Sequence, residues 1–211
     1  MSHFTTLVIG EDPEAILAPY NENIDVDPYV TSDGDTSTYN PKSKWDWYSL
    51  GGRWTGFYIP KVGATVETGT PGVMTAEAKQ GTADRLRKRD IDWDAMRRDV
   101  EIEATATHNR ITEIIGDARL HNAKEFVMSD VAQIFYLNDP DPLASYVADR
   151  VLGVGVPFAI ATADGWTENG SMGWFGMVRD EKSPDDWRVQ ARAIMDAAAD
   201  DDLFSLYDLH I

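Results

Sequence analysis

The stretch from residue 45 to residue 56 holds the residue types in this chain that are best suited to chemistry. It reads Trp-Asp-Trp-Tyr-Ser-Leu-Gly-Gly-Arg-Trp-Thr-Gly and is called here the tryptophan block. Aromatic rings stack on planar ligands, glycine lets a backbone approach a ligand closely, and the planar guanidinium of arginine pairs with phosphate or carboxylate. The block therefore predicts one wall of a ligand pocket, formed by Trp45, Trp47, Tyr48, Arg53 and Trp54.

A nucleotide-like ligand would suit this wall, because a base can stack on the rings while Arg53 holds a phosphate. In a regular strand Trp45 and Trp47 share one face and Tyr48 lies on the other, so the rings cannot all line the same surface. The alternative is a hairpin whose tryptophans pack under helices, with Arg53 paired to one of the many acidic side chains.

A second group of candidate residues lies near the two ends of the sequence: His3, Asp208 and His210. If the first and last strands are antiparallel neighbours, His3 lies beside His210, and Asp208 shares the face of His210 because side chains alternate. Two imidazoles and a carboxylate can ligate a divalent metal ion, or can act as acid and base near neutral pH. The alternative is a structural or surface role. The remaining histidines, His108 and His121, are assigned no function.

Patterns of apolar and turn-forming residues predict the strands that carry these groups. Two hairpins are expected, one joining strands 47–50 and 54–59 through Gly51-Gly52, the other joining 157–163 to 172–178. Further strands are expected at 3–9 and 203–211.

Proline and capping residues predict helices that begin at Pro13, Pro142 and Pro184 and end near residues 20, 151 and 199. The clearest helical pattern runs from about residue 92 to residue 115 and ends at Gly116. Residues 122–137 fit a buried helix, and residues 21–44 form a long polar loop. The order of elements predicts a single α+β domain over residues 1–211, with an antiparallel or mixed sheet.

The charge of the chain limits its partners. The formal net charge is -17 and the pI is about 4.4, which argues against direct binding of nucleic acid because phosphate backbones would be repelled. No Lys or Arg precedes Lys42, whereas that span contains Glu11, Asp12, Glu14, Glu22, Asp25, Asp27, Asp33 and Asp35. Such a surface suits a basic protein partner, can imitate DNA, or serves solubility alone.

The absence of cysteine excludes disulfides, thiolate nucleophiles and cysteine-ligated metals. The first residues carry no basic segment of a signal peptide, and no apolar run approaches the roughly 20 residues that span a bilayer. We therefore expect a soluble protein without contact to a membrane. The sequence also lacks the motifs of phosphate-binding loops, serine hydrolases and zinc proteases.

Three segments together resemble a group of uncharacterised proteins carried by bacteriophages and prophages. They are the opening Met1-Ser2-His3-Phe4-Thr5, the tryptophan block, and the ending Asp208-Leu209-His210-Ile211. The tryptophan block is more distantly similar to the YubB-like proteins of plasmids and phages, which implies a ferredoxin-like sheet. The resemblance implies a location in the host cytoplasm and implies no particular reaction.

Three functions follow as hypotheses. The first is a phage accessory protein that counters host defence by binding a nucleotide-like ligand through the Trp/Arg pocket, with no cofactor. The second is a metal-dependent hydrolase or transferase that uses His3, Asp208 and His210. The third is a non-enzymatic binder of a host protein that presents the acidic loop. The sequence leaves catalysis and oligomeric state open.

Overall fold

The computed structural model of the protein describes residues 2–72, 81–116 and 133–211. The chain divides into two compact units. The first comprises Met1–Asp92 with Val156–Ile211, and the second comprises Trp93–Gly155. All candidate site residues belong to the first unit.

The described strands and helices are numbered in chain order. The strands are β1 (His3–Ile9), β2 (Tyr29–Val30), β3 (Thr36–Ser37), β4 (Trp47–Gly52), β5 (Thr70–Pro71), β6 (Arg85–Arg87), β7 (Ala159–Thr162), β8 (Gly165–Glu168), β9 (Ser171–Met172), β10 (Val178–Arg179) and β11 (Leu203–His210). The α-helices are α1 (Pro13–Leu17), α2 (Trp93–Gly116), α3 (Pro142–Leu152) and α4 (Pro184–Ala197). Short 3₁₀ helices cover Ala18–Tyr20, Lys88–Asp90 and Trp174–Gly176.

A mixed sheet forms the centre of the first unit. Its strands lie in the order β5-β4-β11-β1-β7-β8, and β6 also pairs with β11. Strand β1 is antiparallel to β11 and parallel to β7. The α+β class with a mixed sheet is thus confirmed. The ferredoxin-like arrangement is not confirmed: its two parallel strands are split by another strand, whereas β1 and β7 are direct neighbours.

One face of the sheet packs on the segment that follows β1. Apolar side chains of three strands meet Leu17 of α1 and the ring of Trp45 there. The buried members of this core are Phe4, Val8, Leu17, Trp45, Ala159, Ala161, Tyr207 and Leu209. Because Trp45 Nε1 donates a hydrogen bond to the Leu17 carbonyl oxygen at 3.2 Å, the indole is buried without leaving its polar atom unpaired.

The three helix starts predicted from capping residues are confirmed. In each case a side-chain oxygen accepts a backbone N–H two or three residues into the helix and a proline occupies the first turn. The caps are Asp12 for α1, Asp141 for α3 and Ser183 for α4. The long helix predicted from about residue 92 is also confirmed as α2.

Helices α2 and α3 pack together in the second unit, where His108 Nε2 donates a hydrogen bond to the Phe135 carbonyl oxygen at 3.2 Å. The helix predicted at 122–137 and the residue His121 lie largely outside the described ranges. No helix in the ranges that are described has the length and apolar character needed to cross a membrane.

The predicted hairpin through Gly51-Gly52 is wrong. Strand β4 pairs with β11 and β5, and residues 54–59 contribute only an isolated bridge between Tyr58 and Ala83. Both glycines have positive φ, so they turn the chain out of the strand without returning it alongside. The second hairpin was also assigned to the wrong partner: β7 pairs with β8, and β9 pairs with β10 in a small separate sheet. The polar loop contains the short β2–β3 pair.

A buried carboxylate, Asp84, holds the loops beside β4. Its Oδ1 accepts hydrogen bonds from the backbone N–H groups of Gly56 at 2.7 Å and Phe57 at 3.1 Å, and its Oδ2 accepts one from Gly69 at 2.8 Å. The side chain is fully buried, and this burial raises the pKa of Asp84 although the three N–H donors oppose the shift.

We predict that Asp84→Asn lowers the free energy of unfolding by about 2 kcal/mol at pH 7, because an amide cannot accept all three N–H bonds. The folded-state pKa of Asp84 lies above the unfolded-state value of about 3.9. Asp84 therefore stabilises the folded protein fully below about pH 3.9, and this contribution is lost as the pH rises through the folded-state pKa. The difference in free energy of unfolding between the wild type and D84N should therefore be larger at pH 4 than at pH 7. Urea unfolding at both pH values measures it.

The exposed Asp164 provides the matched control, since Asp164→Asn removes a carboxylate without removing a buried acceptor. A gap between the wild type and D84N that stays constant with pH would contradict the prediction.

Candidate functional site

The predicted histidines lie side by side where β1 begins and β11 ends. His3 lies directly opposite His210 in the antiparallel register, so the two terminal strands are the antiparallel neighbours on which the candidate site depends. On the other side of β11, Trp47 of β4 lies opposite His210. Residues that oppose each other in antiparallel strands project from the same face. His3, Trp47, Asp208 and His210 thus share one face, and with the adjoining Asp46 they are called the sheet-end cluster.

Each imidazole of the sheet-end cluster is held by a carboxylate through its Nδ1 atom. His3 Nδ1 lies 2.8 Å from Asp208 Oδ1, and His210 Nδ1 lies 2.5 Å from Asp46 Oδ1. A carboxylate at Nδ1 fixes the tautomer and the orientation of the ring. The structure shows two such pairs side by side.

The two rings are close to each other, and each side chain is partly exposed. Their centroids are 4.9 Å apart with an interplanar angle of 66°. The side chains of His3 and His210 are 15% and 13% exposed. Among the described contacts no hydrogen bond uses Nε2 of either ring, so both atoms can donate to or accept from a ligand.

Asp208 also fixes the turn that carries Arg53. Its side chain is 1% exposed, and its Oδ2 accepts the backbone N–H of Arg53 at 3.0 Å. At Gly52, which has a φ of +52°, an added Cβ would lie 2.4 Å from Asp208 Cβ. Glycine is therefore required at this position both by backbone conformation and by the approach of the carboxylate.

Two side chains of the tryptophan block, Trp47 and Arg53, are exposed. Trp47 is 50% exposed, and its ring meets the ring of His3 edge to face at a centroid distance of 6.2 Å. Arg53 is exposed, and within the described ranges its guanidinium makes no hydrogen bond or ion pair. Trp54 is half-buried in the same turn, where its backbone N–H donates to the Gly51 carbonyl oxygen at 2.9 Å.

The other two predicted wall residues belong to the hydrophobic core. Trp45 is only 4% exposed and packs edge to face on Tyr48, which in turn packs on Tyr207. The expectation that Trp45 and Trp47 share a face is corrected: β4 begins at Trp47, so period-two alternation does not extend back to Trp45. Trp45 and Tyr48 therefore serve packing, and the predicted wall residues that remain exposed or half-buried outside this packing are Trp47, Arg53 and Trp54.

Asp46 is a site residue that sequence reasoning missed. It precedes β4, and its backbone N–H donates to the His210 carbonyl oxygen at 2.9 Å, which places its carboxylate beside the His210 ring. The only signal in the sequence is its position between two tryptophans. Its role follows only from the β4–β11 register, which the sequence did not indicate.

The predicted metal ligands His3, Asp208 and His210 do meet, with the distances given above. Even so, the described chain contains no group of three or more histidine, cysteine or acidic residues arranged to hold a metal ion. Asp46 and Asp208 each hold the Nδ1 atom of one ring. Carboxylates in this position usually orient histidines from behind.

Comparison with known proteins adds no family to this description. No family model matches the chain, and no curated protein or solved structure matches it. The function is accordingly inferred from the geometry of the site.

We predict that Gly52→Ala lowers the free energy of unfolding by about 3 kcal/mol, from positive-φ strain together with displacement of the buried Asp208. Gly63→Ala is the matched control, because Gly63 has a φ of +85° and nothing within 4 Å of an added Cβ. The control should lose only about 1 kcal/mol, for the backbone strain alone. Urea unfolding of both variants measures the difference, and equal losses would show that Asp208 does not restrict the turn.

Proposed function

We propose that the protein binds a small, nucleotide-like ligand at the sheet-end cluster. The observation that supports this proposal most directly is the pair of carboxylate-held imidazoles next to the half-exposed indole of Trp47, with the backbone of the exposed Arg53 held on the same Asp208. The indole of Trp47 offers a stacking surface for a base. The N–H donors of the imidazoles and of Arg53 suit phosphate oxygens.

The strongly acidic composition is compatible with a small anionic ligand. Charges beyond about 8 Å are largely screened at physiological ionic strength, so a ligand with one or two phosphates responds mainly to the groups it touches. At the sheet-end cluster the two carboxylates are already engaged by imidazole rings and by the backbone N–H of Arg53. A long nucleic acid, in contrast, would extend over the acidic surface around the site.

The biological role that we propose is that of a phage accessory protein. In the host setting that the resemblance implies, a nucleotide-like ligand would belong to host signalling or metabolism, and sequestering it would counter host defence. This role requires binding and does not by itself require turnover.

We predict that Trp47→Ala and Arg53→Ala each weaken ligand binding about tenfold to a hundredfold. Trp47→Ala removes the stacking surface, which contributes roughly 1–3 kcal/mol per base, and Arg53→Ala removes the guanidinium that binds phosphate oxygens. The measurement is a panel of mono- and dinucleotides, cyclic nucleotides included, followed by tryptophan fluorescence and by melting temperature.

The controls match each variant in exposure. Tyr39→Ala removes a ring that is also 50% exposed, and Arg97→Ala removes an exposed arginine of the second unit. Neither should change affinity. Failure of the whole panel to bind, or binding that is unchanged in both W47A and R53A, would refute the proposed function.

A metal-dependent hydrolase or transferase is the second candidate, and the observation in its favour is the proximity of His3, Asp208 and His210. Elemental analysis of protein purified without a histidine tag tests it, together with zinc and manganese titration followed by melting temperature. A metal-induced rise in melting temperature that is lost in His210→Gln would support this candidate. The absence of bound metal and of any rise would remove it.

A further inference from the structure

We propose that His3 and His210 act as a general acid–base pair that hydrolyses a phosphate ester of the bound ligand. This inference rests on the proposed function, because it takes the nucleotide-like ligand as substrate. It requires two imidazoles that are oriented, adjacent and accessible, and the sheet-end cluster provides all three properties.

Orientation comes from the carboxylates. Asp208 and Asp46 occupy Nδ1 of His3 and His210, so that Nε2 of each ring is left for chemistry. Asp46 and Asp208 are positioning residues in this scheme: they hold the reactive tautomer and stabilise the imidazolium that forms during the reaction.

Adjacency comes from the register. Because His3 and His210 are directly opposed across β1 and β11, with ring centroids 4.9 Å apart, a single phosphoryl group can contact both side chains. The ring planes are inclined at 66° to each other. In displacement at phosphorus the attacking and leaving oxygens lie on opposite sides, and in this scheme one imidazole serves each oxygen.

The reaction needs no protein nucleophile. The chain has no cysteine, and Ser49, the hydroxyl residue opposite Asp208 on β4, is hydrogen-bonded to the Leu50 carbonyl oxygen and to neither imidazole among the described contacts. Water is accordingly the attacking group. Neutral imidazole accepts a proton in general base catalysis, and imidazolium donates one in general acid catalysis.

In the proposed step, one imidazole removes a proton from water as the water oxygen forms a bond to phosphorus. The bond between phosphorus and the ester oxygen breaks, and the other imidazole, initially protonated, donates its proton to that leaving oxygen. The products are a phosphate with one fewer ester bond and an alcohol. The first imidazole ends protonated and the second neutral, and proton exchange with solvent restores the starting state.

The test measures hydrolysis of bis(p-nitrophenyl) phosphate, p-nitrophenyl phosphate and the nucleotides that bind in the panel, each in parallel assays with and without EDTA. Proton transfer by a positioned side chain typically contributes a hundredfold or more to the rate. We therefore expect His3→Gln and His210→Gln each to lower kcat about a hundredfold while KM changes less than about threefold. His108→Gln, in the second unit, is the matched control and should retain full activity.

A melting curve for each variant separates loss of chemistry from loss of folding. If a variant does not fold, modification of the wild-type protein by diethyl pyrocarbonate replaces it: activity should be lost, and bound nucleotide should slow the loss. Activity that survives modification, or that survives both substitutions in folded protein, overturns the acid–base pair.

Two further outcomes separate this inference from the proposed function. A wild-type protein that binds a nucleotide but hydrolyses none of the substrates refutes the acid–base pair and leaves ligand binding intact. If the protein binds no nucleotide, both the acid–base pair and the proposed function are refuted. Hydrolysis that EDTA abolishes also overturns the inference, since it assigns turnover to the metal-dependent candidate.

Discussion

The buried carboxylate of Asp208 is the interaction on which the rest of the site depends. A carboxylate in the interior must have its oxygens paired, and Asp208 meets this requirement with the ring of His3 on one oxygen and the backbone N–H of Arg53 on the other. It lies on the central strand β11, between β1 and β4. A single side chain therefore joins three segments that are distant in sequence: the first strand, the tryptophan block and the last strand.

A second buried carboxylate, Asp84, also holds the turn that follows β4. Asp84 accepts the N–H groups of Gly56, Phe57 and Gly69, and an added Cβ at Gly51 would lie 2.4 Å from its Oδ2. The turn after β4 is thus held between Asp84 and Asp208, each in contact with one of the paired glycines. The glycines are needed for this close approach, and a consequence is that the backbone carrying Arg53 is fixed while its side chain stays exposed.

The parts of the structure that could be predicted from sequence are those set by local or paired signals. Asp12, Asp141 and Ser183 begin helices because a cap and a proline act within one turn. A strand at each end of the sequence permitted the pairing of His3 with His210 but did not require it. Trp45 was placed on the wrong face, and Asp46, Asp84 and the anchoring role of Asp208 were missed. Their roles depend on the β4–β11 register and on which loop surrounds a buried acid, and no local pattern contains that information.

The position of the imidazoles near the ends of the sequence would ordinarily weaken a site, because terminal residues tend to fray. Here β1 lies between β11 and β7, and β11 lies between β1 and β4. The pairing continues to the last residues, with the Ser2 and Ile211 backbones joined by two hydrogen bonds of 3.0 and 3.1 Å. Ser2 Oγ also donates to the Gly173 carbonyl oxygen and accepts the Gly176 N–H. Catalytic and binding groups need support that limits their motion before a ligand arrives. His3 and His210 have that support because they project from interior strands of the sheet.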